Sequence, residues 1–162
     1  MNIALPDAGA ANDDIVRSCL ETWVEAATKA GIDLTGFNPE APLSERITWA
    51  LSQGLEIGAI LSRFSSKLQH STASQVCDCA VFAAWHKIYG PPEFVCVDEA
   101  VSGRKSRRDG LDRIKLILKH KLASVLLVLK VSRLFRAAYK GYQFFNEEVV
   151  VAHLARHDGI ST

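Results

Sequence analysis

The sequence predicts an open, mostly parallel α/β sheet with flanking helices, preceded by a small helical extension. Three observations carry that prediction. From Glu56 onward, strand-like apolar runs alternate with segments of helical periodicity. The first of those runs, "IGAILSRF", is apolar on both faces, as a strand buried within a parallel sheet is. The segments between the strands are long enough for helices that cross over in the right-handed sense between parallel neighbours.

The elements follow in order. Residues 13–30 read as an amphipathic helix: Asn12 or Asp13 can cap it, Ile15, Cys19, Leu20, Val24 and Ala27 keep helical spacing, and Gly31 stops it. "DLTGFNPEAP" is a turn-rich linker, and a short second helix fits Ser44 to Gln53 before Gly54. These residues, 1–55, look like a separate helical extension, and 56–162 like the main domain. Within the latter, "IGAILSRF" is the first strand and Thr72 to Tyr89 a helix with Val76, Ala80, Ala84 and Ile88 on one side. "GPP" breaks that helix before a second strand, "EFVCVDE". The polar "AVSGRKSRRDG" leads to a helix from Leu111 to Lys121, with Leu111, Ile114 and Leu118 facing the core. "SVLLVLK" is the third strand, "VSRLFR" follows it, and a last helix is expected from Ala137 to about Val150. No internal repeat or low-complexity segment interrupts this order.

Composition narrows the setting. With 162 residues, 48% hydrophobic and 23% charged, the chain suits one compact soluble domain with an appendage. "VLLVL" is far too short to span a bilayer, and the first fourteen residues lack the basic and apolar regions of a secretory signal. Four cysteines make no disulfide framework and suit a reducing, cytoplasmic setting. The net charge of +1 conceals an asymmetry: residues 1–55 carry −5 and residues 56–162 carry +6. Eleven bases and three acids lie between Glu99 and Arg136, which suits a polyanionic partner if those bases fall near chemistry.

In open parallel sheets ligands bind outside the carboxyl ends of the strands. Here those ends carry "SRFSSKLQ", "DEAVSGRKSRR" and "KVSRLFR". One edge would collect Ser65, Ser66 and Ser102 with Arg63, Arg104, Arg107, Arg108, Arg133 and Arg136. Serine hydroxyls ringed by guanidinium groups, without metal-binding carboxylates, suit attack on a phosphodiester: the arginines neutralise the phosphate and a serine becomes the covalent nucleophile.

The ordered segments "SRFSSKLQHSTASQ", "DEAVSGRKSRRDGL", "KVSRLFR" and "DGIST" resemble the catalytic domain of the serine recombinases, the resolvase/invertase family, and look closest to its large members. The likeness covers residues 56–162, about two thirds of the chain. It implies a resolvase-like catalytic domain for site-specific DNA recombination through a 5′-phosphoserine intermediate. By position Ser65 matches the nucleophile, and Arg63, Arg108, Arg133 and Arg136 match the arginines that bind the scissile phosphate and stabilise its transition state. Gln69, Gln75, Asp98 and Ser102 match supporting positions, and Arg104, Lys105 and Arg107 extend the DNA contact. The resemblance implies no cofactor and no metal, with DNA as partner and homodimers that synapse into tetramers. Ser132 stands where many members have an acid, and Leu61 where a tyrosine is common. The family's DNA-binding region is absent from these residues, so a separate DNA-binding protein is a further expected partner. A short final strand and a weakened sheet edge are expected near "NEEVVVAHLARHDGIST".

Competing readings are plainer. Ser66 is a turn or capping residue. Cys77 and Cys79 lack a second ligand pair for zinc, and His153 and His157 lack the glutamate of a metalloprotease helix. A nucleotide-binding or receiver domain would need a Gly-rich phosphate loop or clustered acids at the strand ends, and "SRFSSKLQ" has neither. The principal alternative is a catalytically silent remnant that dimerises or binds DNA weakly.

Overall fold

The computed structural model describes residues 5–65, 71–100, 109–128 and 150–151. Among them the order is α1 (Asp13–Lys29), α2 (Leu43–Ser52), β1 (Glu56–Ser65), α3 (Ser71–Trp85), β2 (Ile88–Tyr89), a 3₁₀ turn (Pro92–Phe94), β3 (Val95–Ala100), α4 (Asp109–Lys119), β4 (Val125–Leu127) and β5 (Val150–Val151). Every strand pairing is parallel. β1 is central: β2 and then β3 line one of its edges, and β4 lies on the other with β5 beyond it. Ile60 shows the arrangement, being in register with Val95 on one side and Leu127 on the other.

Ser62 is in register with Val97, and Asp98 is the next residue along β3. Successive residues of a strand address opposite faces, so Ser62 and Asp98 look to opposite sides of the sheet. Ser62 bonds to Gln75 on α3, whereas Asp98 bonds to the start of α4. The sheet is therefore covered on both faces, which explains its apolar strands.

Asn12 caps α1, its Oδ1 accepting from the Ile15 amide at 2.9 Å. This helix packs on α3, and the buried residues of the two are mostly small: Cys19, Ala26 and Ala27 on α1, Cys79, Ala80, Ala83 and Ala84 on α3. The largest of the others is Trp23, wholly buried, whose indole N–H donates to the Ile88 carbonyl at 2.8 Å. Its ring meets Tyr89 edge-on with centroids 4.9 Å apart, and Phe37 from the linker at 5.8 Å. Arg46 of α2 reaches across to the Tyr89 hydroxyl and forms a two-pronged ion pair with Glu93. The helical residues of 1–55 thus share one continuous core with the sheet.

Several expected boundaries move: α4 runs Asp109–Lys119 and not Leu111 to Lys121, α2 shifts by one residue, and three further shifts reshape the sheet. The helix that the apolar spacing carries to Tyr89 ends at Trp85: Lys87 takes a left-handed conformation (φ 60°), and its carbonyl accepts from the Glu56 amide, turning Ile88 and Tyr89 into a strand. The second strand begins at Val95 and not at Glu93, because Pro91 and Pro92 offer no amide hydrogen to the ladder and the chain turns in 3₁₀ form first. Val150, expected at the end of the last helix, lies in β5, in register with Val125; the rest of that helix lies outside the described residues. β5 has two residues. No helix among the described residues is long and apolar enough to cross a membrane.

Candidate active site at the carboxyl edge of the sheet

β1 and β3 run parallel from Ile60↔Val95 to Ser65↔Ala100. Both therefore end at the same edge, with Arg63 in register with Asp98 and Ser65 with Ala100. Hydrogen-bonded strands are spaced about 4.8 Å apart, so the backbones carrying the candidate nucleophile, its arginine and the candidate acid are immediate neighbours. The ladder that fixes them runs through the centre of the sheet.

Asp98 is 3% exposed, and its Oδ1 accepts from the Gly110 amide at 2.7 Å and the Leu111 amide at 3.1 Å. A carboxylate at the first turn of a helix meets amides without intrahelical partners and the positive end of the helix dipole. Here the acid comes from a strand, so the bond ties α4 to β3 across a gap of eight residues, 101–108. Gly110 makes the approach possible: a Cβ there would fall 2.6 Å from the Val97 carbonyl carbon and 2.8 Å from Asp98 Oδ1.

On the other face Ser62, 1% exposed, donates its hydroxyl to Gln75 Oε1 at 3.0 Å, and Gln75 is itself 6% exposed. This pair joins β1 to α3 one residue before Arg63. Near their carboxyl ends β1 and β3 are thus each tied to the next helix, α3 and α4, by a buried polar bond. Burial pushes the Cys96 thiol up to about 11, against the opposing pull of Arg113, whose guanidinium it contacts at 3.5 Å. The Cys79 thiol, desolvated on α3, is pushed up to about 12, and Cys77 is half-buried against the Thr22 hydroxyl at 3.4 Å. No group of three metal-ligating side chains occurs among the described residues.

The structure sets Arg63 of β1 in register with Asp98 of β3 and Ser65 in register with Ala100, while Gln75 lies on the α3 face of the sheet, bonded to Ser62. Gln69, Ser102, Arg104, Lys105, Arg107, Arg108, Arg133 and Arg136 lie outside the described residues, as do Ser66, Ser132, His153 and His157. Three residues that frame the site were not singled out from the sequence: Ser62, Gly110 and Arg113. Only Gly110 leaves a signal, a glycine inside the first turn of a strongly amphipathic helix, where flexibility alone would be unfavourable.

The family model for the Resolvase, N terminal domain matches residues 59–150, from within β1 to the first residue of β5. No curated protein and no solved structure matches the chain. The matched span covers more than half of the sequence, contains the parallel sheet and both polar bonds at its carboxyl edge, and so the chain belongs to the resolvase N-terminal domain family, a family of site-specific DNA recombination.

Proposed function

We propose that the chain is a serine recombinase catalytic domain, nearest in kind to the large serine recombinases, in which Ser65 is the nucleophile. The observation that carries this is the register of β1 with β3, which sets Arg63 opposite Asp98 and ends the first strand at Ser65, opposite Ala100, at the ligand-binding edge of a parallel sheet. The Ser65 oxygen attacks the scissile phosphorus, the hydroxyl proton is lost, and the bond from phosphorus to the 3′ oxygen breaks. The products are a 5′-phosphoserine and a free 3′ hydroxyl. Attack by a 3′ hydroxyl from the exchanged strand reverses these bonds and regenerates the serine. Because the phosphodiester energy is kept in the ester, strands can be exchanged and resealed without ATP.

Arg63 binds the scissile phosphate, with Arg108, Arg133 and Arg136 sharing the charge that develops on its equatorial oxygens. Gln75 and Gln69 support the nucleophile segment, and Asp98 and Ser102 the segment after β3. Arg104, Lys105 and Arg107 contact the DNA backbone. Homodimers form the cleavage unit, tetramers the exchange complex, and a separate DNA-binding protein can supply site selection. The test is incubation with nicked DNA carrying a recombination site, followed by denaturing electrophoresis. A covalent adduct is expected with the unaltered chain and none with Ser65→Ala. No adduct, even after fusion to a DNA-binding domain, leaves the silent remnant as the reading.

A further inference from the structure

Three of the four cysteines sit on the two helices that pack together on one face of the sheet, Cys19 on α1 and Cys77 and Cys79 on α3. Most of what these helices bury is alanine and cysteine, and small side chains let two helix backbones approach closely. The Thr22 hydroxyl donates to the Cys77 sulfur at 3.4 Å, which holds the Cys77 side chain over α1. Cys19 precedes Thr22 by three residues, so the two are neighbours on the surface of α1, with β-carbons about 5–6 Å apart. The Cys77 sulfur therefore lies within one helical turn of Cys19, near enough for its charge to raise the Cys19 pKa.

The other pairings are poorer. Cys77 and Cys79 are two apart on one helix and point away from each other. Cys96 shares with Asp98 the face of the sheet that α4 covers, away from α3. Cys79 is 1% exposed and Cys19 wholly buried, whereas Cys77 is half-buried, so a small oxidant meets Cys77 first.

We propose that Cys19 and Cys77 are a redox pair that a peroxide converts to a disulfide, stapling α1 to α3. The Cys77 sulfur takes one peroxide oxygen as the O–O bond breaks, giving a sulfenic acid and water. The Cys19 sulfur then attacks the Cys77 sulfur; the S–S bond forms, the S–O bond breaks, and the hydroxide leaves as water with the Cys19 proton. Two thiols and one hydrogen peroxide thus become one disulfide and two waters, and a dithiol reductant reverses the change. The link closes a loop of about 60 residues that holds α2 and β1, so it should stabilise the fold by constraining the unfolded chain. Nothing in this pair depends on the recombinase reading.

The test treats the full chain with a few equivalents of hydrogen peroxide, blocks remaining thiols with iodoacetamide in denaturant, and maps peptides by mass spectrometry without reduction. The expected product is a single chain two hydrogens lighter, with the Cys19 and Cys77 peptides joined and freed by dithiothreitol. Its melting midpoint should rise by about 5–10 °C and return on reduction. Cys79→Ala should keep the link, and Cys77→Ser, at a half-buried position, should leave Cys19 a thiol under the same treatment. A link from Cys19 to Cys79, a link between two chains through Cys77, or Cys77 oxidised to the sulfinic acid beside an unreacted Cys19 overturns the proposal. So does a chain whose thiols all survive, since Cys77 is then closed to the oxidant. A Cys19–Cys77 link that lowers the midpoint overturns it too, because such a link was made in an opened chain and does not fit the packed helices.

Discussion

Asp98 and Ser62 perform the same task on opposite faces of the sheet, and substitution separates their contributions. Removing the Asp98 carboxylate leaves the Gly110 and Leu111 amides buried without that acceptor. Asp98→Ala is expected to cost about 2–3 kcal/mol in a urea melt, and Asp98→Asn less, because both amides donate to Oδ1 and a neutral amide oxygen can still accept them, without the charge. A smaller loss for alanine than for asparagine would show that the carboxylate is not what ties α4 to β3. Ser62→Ala strips one donor from a buried Gln75 oxygen and should cost about 1–2 kcal/mol. Under the recombinase reading it should also slow adduct formation, and that slowing should vanish in a Gln75→Leu background if the serine acts through Gln75. The cysteines give a reactivity test of the same packing. Cys19, Cys79 and Cys96 are buried with raised pKa values and so remain thiols at neutral pH. Iodoacetamide at pH 8 is expected to label half-buried Cys77 first, and peptide mass mapping of the native chain checks the order.

The helices of residues 1–55 are bound into the sheet domain chiefly by aromatic packing. Trp23 is the largest fully buried side chain and touches Phe37 and Tyr89, while Phe37 also packs on Trp49 of α2 with centroids 4.9 Å apart. Trp23→Ala is expected to destabilise by about 3–5 kcal/mol, with α1 and the sheet still lost in one transition by far-UV circular dichroism and the fluorescence of the remaining Trp49 and Trp85. Two separated transitions would mean that the extension and the sheet fold independently. The sequence exposes α1 because its cap, periodicity and stopping glycine are local, and it exposes β1 because a strand covered on both faces is continuously apolar. It misplaces the end of α3, since Ala84 and Ile88 keep helical spacing while Lys87 has already turned the backbone out of the helix. It hides completely the antiparallel strap that residues 5–11 lay along β3: the bonds from Gly9 and Ala11 to β3 are main chain to main chain, and Pro6 meets Arg113 at a distance of 107 residues, so no side-chain pattern records them. Of the candidate site, the rule for strand ends reaches Arg63 and Ser65, whereas Gln75 and Asp98 are reached only through the resemblance to the serine recombinases. Ser62 is reached by neither, because a hydroxyl inside an apolar strand announces a partner only once α3 has been laid over it.

The buried thiols and one phenol are spread across this core, so the molecule as a whole should be sensitive to alkali. Cys19 and Cys79 are pushed from 9.0 to about 12 mainly by burial, Cys96 from 9.0 to about 11, and Tyr89 from 10.0 to about 12 despite the opposing hydrogen bond from Arg46. Each group keeps its proton in the native state after the unfolded chain has released it. Between pH 9 and about 11 the unfolded state therefore binds fewer protons than the native state, and stability falls as pH rises. Below about pH 8 both states hold these protons and the four groups contribute almost no slope. The slope above that point is roughly 1 kcal/mol per pH unit for each fully engaged thiol, so three thiols outweigh the modest stability of a domain this size within a few units. The expected result is a guanidinium midpoint that is nearly level from pH 7 to 8, begins to fall by pH 9 and drops steeply by pH 10.5, measured in reductant so that no disulfide intervenes. Cys79→Ala should make the drop shallower, because the variant has one thiol fewer to release its proton on unfolding. A midpoint that stays level to pH 10.5 would mean that water reaches these side chains in the native state, and that α1 does not seal the face of α3 as the packing of Trp23 requires.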